Sequence, residues 1–85
     1  MQTTQPESAE LVKLSPAKRQ ARFYRLEIWP DLFGGFSLAR EYGRIGQAGR
    51  LQLDPFPELD PACKALARIV RRKQRRGYAP CVQRF

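Results

Sequence analysis

Polar and apolar residues alternate most clearly from Arg22 to Trp29, where Tyr24, Leu26 and Ile28 share one face and Phe23, Arg25, Glu27 and Trp29 the other. That two-residue period, carried by strand-forming residues, predicts a β-strand. Pro30-Asp31 and Gly34-Gly35 bracket a turn holding Leu32 and Phe33, and Phe36 to Ile45 then reads as the second strand of an antiparallel pair. Gly43 inside that strand suggests a bulge or a close approach of something to the backbone. Gly46-Gln47-Ala48-Gly49 is a second turn, and Arg50 to Asp54 alternates as a third strand. Its Leu51 and Leu53 are expected to face the core, with Pro55 and Pro57 stopping it.

Beyond Asp60 the period lengthens to that of a helix. Asp60-Pro61 has the form of an N-cap followed by a first helical residue, and Gly77 is placed to end the helix at C′. Ala62, Leu66, Ile69, Val70 and Lys73 recur at helical spacing between them, flanked by Cys63 and Ala67, which makes one stripe to lay on a sheet. After Gly77, Cys81-Val82 is expected to add a short edge strand. Residues 1–20 contain no aromatic residue and are interrupted by Pro16, so they read as a flexible leader ending in the basic junction Lys18, Arg19 and Arg22. The fold class that follows is α+β: residues 21–85 form a small antiparallel β-sheet with one α-helix packed on it.

Composition narrows the function. The 85 residues hold 16 Lys+Arg against 8 Asp+Glu, a formal charge of +8, and no histidine. Lacking histidine, the chain is without the commonest general base and the commonest metal ligand. Its carboxylates are scattered, its serines have no activating base, and its glycines match neither a phosphate loop nor a dinucleotide fingerprint. No catalytic residue, metal site or cofactor is therefore expected. The longest apolar run is three residues, too short to span a membrane. Cys63 and Cys81 show no metal-ligand spacing and read as free thiols, in keeping with a reducing, cytoplasmic setting, with a structural disulfide between them as the alternative.

Basic charge is the strongest chemical signal. From Lys64 to Arg76 there are seven basic residues and no acidic one. Lys64, Arg68, Arg71, Arg72 and Arg75 line one side of the expected helix, with Arg76 at its end. An ordinary solvated helix face mixes signs, because opposite charges four apart stabilise it. Two readings stand: the cations gather there for favourable interaction with the helix dipole, or they form a polyanion-binding face. Twelve of the sixteen cations are arginine, whose planar fork suits phosphate oxygens. On the second strand, Tyr42 falls between Arg40 and Arg44 at strand parity. That face either holds a sugar or base against the ring with phosphate in the guanidinium forks, or carries a core tyrosine with two solvated arginines at its rim.

Three segments, taken together, resemble the WGR domain: Phe23-Tyr24-Arg25-Leu26-Glu27-Ile28, Leu38 through Gln47 with its Arg40-Glu41-Tyr42-Gly43-Arg44-Ile45-Gly46, and Lys73 through Gly77-Tyr78. This module is named for a Trp-Gly-Arg motif and occurs in poly(ADP-ribose) polymerases and in short stand-alone bacterial proteins. The resemblance implies DNA binding near strand breaks, with Tyr42 as the residue that packs on a terminal sugar, Gly43 as the close-approach position and Arg44 as the cation. Tyr42, whose phenol ring is smaller than an indole and bears a hydroxyl, stands where the family usually has Trp. Nothing in the chain resembles a transferase domain. The expected function is a non-enzymatic nucleic-acid-binding module that prefers DNA over RNA, at ends or nicks, through Arg40, Tyr42, Gly43 and Arg44. Lys64, Arg68, Arg71, Arg72, Arg75 and Arg76 add phosphate attraction if the helix surface adjoins the same groove. The alternative is a protein-interaction module whose basic face meets an acidic partner, with Trp29, Phe33 and Phe36 as apolar anchors.

Overall fold

The computed structural model describes residues 7–81, which form one antiparallel sheet covered on one side by a single helix. The strands are β1 (Ser8–Ser15), β2 (Gln20–Pro30), β3 (Phe36–Arg44), β4 (Arg50–Phe56) and β5 (Ala79–Pro80), and the helix α1 is Leu59–Arg75. Across the sheet the order is β4-β3-β2-β1-β5. Successive strands are neighbours from β1 to β4, as short hairpin connections require.

The largest departure from the sequence reading is β1. Residues 1–6 of the expected leader lie outside the described residues, but Ser8–Ser15 is a strand paired with β2 along its whole length, from Ser8 opposite Glu27 to Ser15 opposite Gln20. Alternation here is real but weak: Ala9, Leu11 and Lys13 point one way, and Glu10, Val12 and Leu14 the other. Leu11 is buried in the core. Pro16 opens the 3-10 turn Pro16–Lys18 that connects β1 to β2, closed by Arg19 N–H donating to the Pro16 carbonyl at 3.1 Å.

One face of the sheet packs against α1. Leu11, Tyr24, Leu26 and Leu38 meet Ala65, Leu66 and Ile69, and Leu26 and Leu66 are fully buried. Tyr24, Leu26 and Ile28 thus share the inner face, as their alternation implied. β4 differs. Leu51 and Leu53 are 54% and 49% exposed, because Gln52 and Asp54 stand opposite Arg40 and Leu38 on the helix side. The period places the two leucines together but cannot say which face the helix covers. Pro55 also fails to stop the strand. It pairs opposite Ser37 within β4, which is an edge strand where a missing N–H is tolerated.

The helix starts at Leu59 after Glu58, so Asp60 and Pro61 lie in the first turn rather than at the cap and first position. Asp60 still favours the positive end of the dipole. The other terminus is as expected: Gly77 takes φ +100°, its N–H donates to the Gln74 carbonyl, and Tyr78 N–H donates to the Lys73 carbonyl. This closure turns the chain sharply and lays Tyr78 back beside Lys73. The short edge strand is Ala79–Pro80, paired with Leu11 and Val12, with Cys81 N–H donating to the Glu10 carbonyl at 2.8 Å. Of the expected Cys81-Val82 strand, Val82 lies outside the described residues.

No bulge occurs at Gly43, since the pairing of β2 with β3 runs unbroken through Phe23 opposite Gly43. What approaches Gly43 is the chain itself: a Cβ there would lie 3.1 Å from Gly49 Cα. Gly49 is tighter still, and its Cβ would fall 2.7 Å from Phe23 Cζ and 2.8 Å from the Tyr42 carbonyl oxygen. Because the second obstacle is backbone, Gly49→Ala is expected to lower stability by ~1–3 kcal/mol through forced opening of the β3–β4 turn. A urea midpoint unchanged from the parent protein would refute that packing.

Candidate nucleic-acid interface

The strand pairings arrange the helix-side face in rows. Lys13, Arg22 and Arg44 stand opposite one another across β1, β2 and β3; the next row is Leu11, Tyr24, Tyr42 and Arg50, and the next Ala9, Leu26, Arg40 and Gln52. Strands spaced ~4.8 Å apart bring the three cations of the first row within about 10 Å. The sheet face therefore passes from aliphatic beneath the helix to aromatic and then cationic beyond the C-terminus of α1.

A cleft of about 410 Å³ opens there, lined by Arg22, Tyr24, Arg40, Tyr42, Gly43, Lys73 and Tyr78. Tyr24 and Tyr42, directly opposite on β2 and β3, stack with centroids 5.1 Å apart and planes 7° from parallel. Tyr78 meets Tyr24 edge-on at 6.2 Å. Lys73 Nζ sits 4.5 Å from the Tyr24 ring centroid and 5.6 Å from that of Tyr78. Both separations suit cation–π attraction.

The cations have little local compensation. Lys73 has no carboxylate within ion-pair distance among the described residues. Burial, then Arg76, Arg72, Arg40 and Lys13, push its pKa below the ordinary lysine value. Arg40 is the exception: its Nε lies 2.9 Å from Asp54 Oδ2, without the alignment of a hydrogen bond, and its Nη1 donates to the Tyr24 hydroxyl at 3.3 Å. Burial disfavours the Arg40 charge, but these neighbours outweigh it and its pKa is raised. Glu10 and Glu41 lie on the other sheet face, gathered by Arg25 at 3.3 and 2.6 Å. Those pairs are partly exposed and contribute little stability, but they keep two carboxylates away from the cleft.

Of the residues singled out in the sequence, Arg40, Tyr42 and Gly43 line the cleft, and Arg44 shares their face at its rim. Tyr42 is half-buried rather than presented freely. Tyr24 covers one side of its ring, its hydroxyl donates to Gln52 Oε1 at 3.2 Å, and it also lines an open recess of about 300 Å³ with Gly43, Ala48, Gly49 and Arg50. Arg72 and Arg76 belong to the cleft's electrostatics through Lys73. Lys64 does not; it pairs with Asp60 at 3.2 Å in the first half of the helix, about 13 Å along the axis from Lys73. Arg68, Arg71 and Arg75 are exposed and line no part of the cleft. Sequence reasoning missed Arg22, Tyr24, Lys73 and Tyr78 as site residues. The available signal was Lys73, a cation seven residues after Leu66 and four after Ile69 on the apolar stripe.

Among the described residues no group of three or more His, Cys, Asp or Glu side chains could hold a metal ion, and no helix is long and apolar enough to cross a membrane. Cys63 and Cys81 are free thiols, and burial pushes the pKa of Cys63 up, as suits a packing residue.

A small sheet with one helix and a cationic, tyrosine-floored cleft at the helix C-terminus defines a small binding module. The WGR domain family model matches residues 7–84, and the chain belongs to that family, a family of nucleic-acid-binding modules. The uncharacterized protein y4dW of Sinorhizobium fredii is 35% identical over 77 residues, covering 91% of this chain. The chain spans only 38% of that relative's length. No solved structure gives a significant match.

Proposed function

We propose that the chain binds DNA, in preference to RNA, at strand ends or nicks, and that the cleft beyond the C-terminus of α1 receives the sugar–phosphate chain. The observation that carries this reading is the uncompensated row Lys13–Arg22–Arg44 beside the Tyr24–Tyr42 stack. Like charges directly opposite on a sheet are destabilising, and a polyanion removes that repulsion. Arginine forks take phosphate oxygens while the Tyr42 ring packs on a sugar or base, with Lys73 in the same cleft. Such contacts position a strand without reading its sequence, so little base preference is expected. Arg72 and Arg76 extend the attraction along the helix end; Arg68, Arg71, Arg75 and Lys64 act only as a long-range field, falling off over about 8–10 Å at ordinary salt.

The test is a gel-shift series on blunt duplex, nicked duplex, closed circle, single strand and RNA at two salt concentrations. Binding to ends or nicks should be tightest. Tyr42→Ala should weaken end binding by ~1–3 kcal/mol, as loss of a packing ring does, and closed-circle binding much less. Tyr42→Phe, which keeps the ring and loses only the Gln52 hydrogen bond, should retain end binding. Equal losses on ends and circles would refute the end-specific reading, and a flat salt dependence would refute phosphate binding altogether.

A protein contact is the second reading. It is supported by Trp29, Leu51 and Leu53, all exposed on the sheet face away from the helix, and by Leu32 and Phe33, 94% and 93% exposed at the β2–β3 turn. A partner captured through these residues should survive nuclease treatment, whereas one bridged by nucleic acid should not.

A further inference from the structure

We infer that the Lys73 amine forms an imine with the aldehyde of an abasic sugar held in the cleft, so that the domain captures abasic sites covalently and reversibly. The inference rests on the cleft binding nucleic acid. Phosphates, hydroxyls and intact bases give an amine nothing to condense with. The electrophile a DNA strand does offer is the ring-opened sugar left when a base is lost, which carries an aldehyde at C1′.

Lys73 is the lysine that lines the cleft. Its Nζ lies inside the cleft between the Tyr24 and Tyr78 rings, at 4.5 and 5.6 Å from their centroids. Two things hold it there. The amine sits on the inner stripe of α1, and the helix closure at Gly77 folds Tyr78 over it. Among the described residues no carboxylate pairs with it to hold a proton on the nitrogen. Lys64, by contrast, is held by Asp60 on the outer surface.

The amine must be neutral to attack, and its surroundings lower its pKa from the ordinary lysine value toward that form. Burial comes first, followed by Arg76 at the helix C-cap, Arg72 on its own helix, Arg40 from β3 and Lys13 from β1. The Tyr24 and Tyr78 ring faces pull the other way, by attracting the ammonium, yet the pKa lies below that of free lysine. Desolvation and neighbouring cations both raise the neutral fraction of an amine at a given pH, and lysine nucleophiles are activated in this way. The three arginine neighbours are suited to the role because they stay charged and do not compete for the aldehyde; Lys13, with its Nζ 5.8 Å from the Tyr78 ring centroid, is the one neighbouring amine and the control for the adduct test.

In the reaction the nitrogen lone pair attacks C1′, a C–N bond forms, and the carbonyl electrons move to oxygen, which takes up a proton. The carbinolamine then expels water, leaving a protonated C=N bond that retains one positive charge between the flanking phosphates. A site without its base also offers the smaller ligand, a bare sugar against the Tyr42 ring. No oxidant or reductant is consumed, and hydrolysis returns the free amine and the aldehyde.

The test uses the full chain and a duplex with one abasic site, treated with cyanoborohydride, which delivers hydride to the imine carbon and makes the link permanent. A parallel duplex carries a reduced sugar that binds but has no aldehyde. The expected result is binding to both duplexes, an adduct with the abasic duplex alone, and peptide mass spectrometry that places the link on Lys73. Lys73→Arg, assayed at protein concentrations that saturate the duplex, should lower adduct yield at least tenfold. Binding to both duplexes without any adduct, or adducts spread over Lys13, Lys18 and Lys64, would overturn the imine and leave nucleic-acid binding standing. Failure to bind either duplex would overturn both readings.

Discussion

A chain that starts at Ala21 is expected to lose its cooperative thermal transition. Its removed segment contains β1, which lies between β2 and β5, so β2 loses its partner along eight residue pairs and β5 loses its only neighbour in the sheet. Leu11, 2% exposed, leaves the core face that meets α1. Deleting a buried leucine side chain alone costs ~2–5 kcal/mol when a cavity remains. A domain of this size has ~4–13 kcal/mol of total stability at ~0.05–0.15 kcal/mol per residue. Loss of a strand's ladder, at ~0.5–1.5 kcal/mol per hydrogen bond, comes on top of the leucine and brings the total loss to the size of that margin. Far-UV circular dichroism should show a broad, non-cooperative change with temperature, and amide resonances should collapse toward random-coil positions. A sharp transition within a few degrees of the parent would mean that β1 is an accessory strand.

The same strand shows where sequence reasoning reaches its end. β2, the β2–β3 turn and α1 were legible because each carries its own periodicity and punctuation: alternation through Ile28, Pro30-Asp31 and Gly34-Gly35 around the turn, and a stripe through Leu66 and Ile69 ended by Gly77. β1 contributes only Leu11 to the deep core, and its polar residues are satisfied by pairing with β2, which no local pattern announces. Leu51 and Leu53 illustrate a second limit. Alternation states which side chains travel together, but the covered face is fixed by the helix, and α1 lies on the side of Gln52 and Asp54. The site divides in the same way. Arg40, Tyr42, Gly43 and Arg44 could be read together because one strand holds them. Arg22, Tyr24, Lys73 and Tyr78 join only when β2, α1 and the chain after Gly77 come together.

Replacing Arg22 and Arg44 together by glutamine should weaken DNA binding and raise the stability of the free protein. The two side chains stand directly opposite on β2 and β3, on the helix-side face, with no carboxylate within ion-pair distance among the described residues. A like-charged pair in that position costs ~0.2–1 kcal/mol, so its removal should lift the melting temperature by a few degrees at low salt, with the gain fading as salt screens the repulsion. Binding should move the other way. Each guanidinium–phosphate contact is worth ~1.5–3 kcal/mol, so losing two predicts roughly a hundredfold or greater drop in affinity. The slope of log affinity against log salt should flatten by ~1.8, from ~0.9 per lost phosphate contact on duplex DNA. Arg68→Gln with Arg71→Gln removes the same formal charge from the outer helix surface, outside the cleft, and should leave the slope nearly unchanged. If both double variants flatten the slope alike, attraction is spread over the whole basic surface and the cleft has no special part in it. A fall in melting temperature on replacing Arg22 and Arg44 would show that they stabilise the sheet instead of straining it, and repulsion awaiting a polyanion would no longer explain their placement.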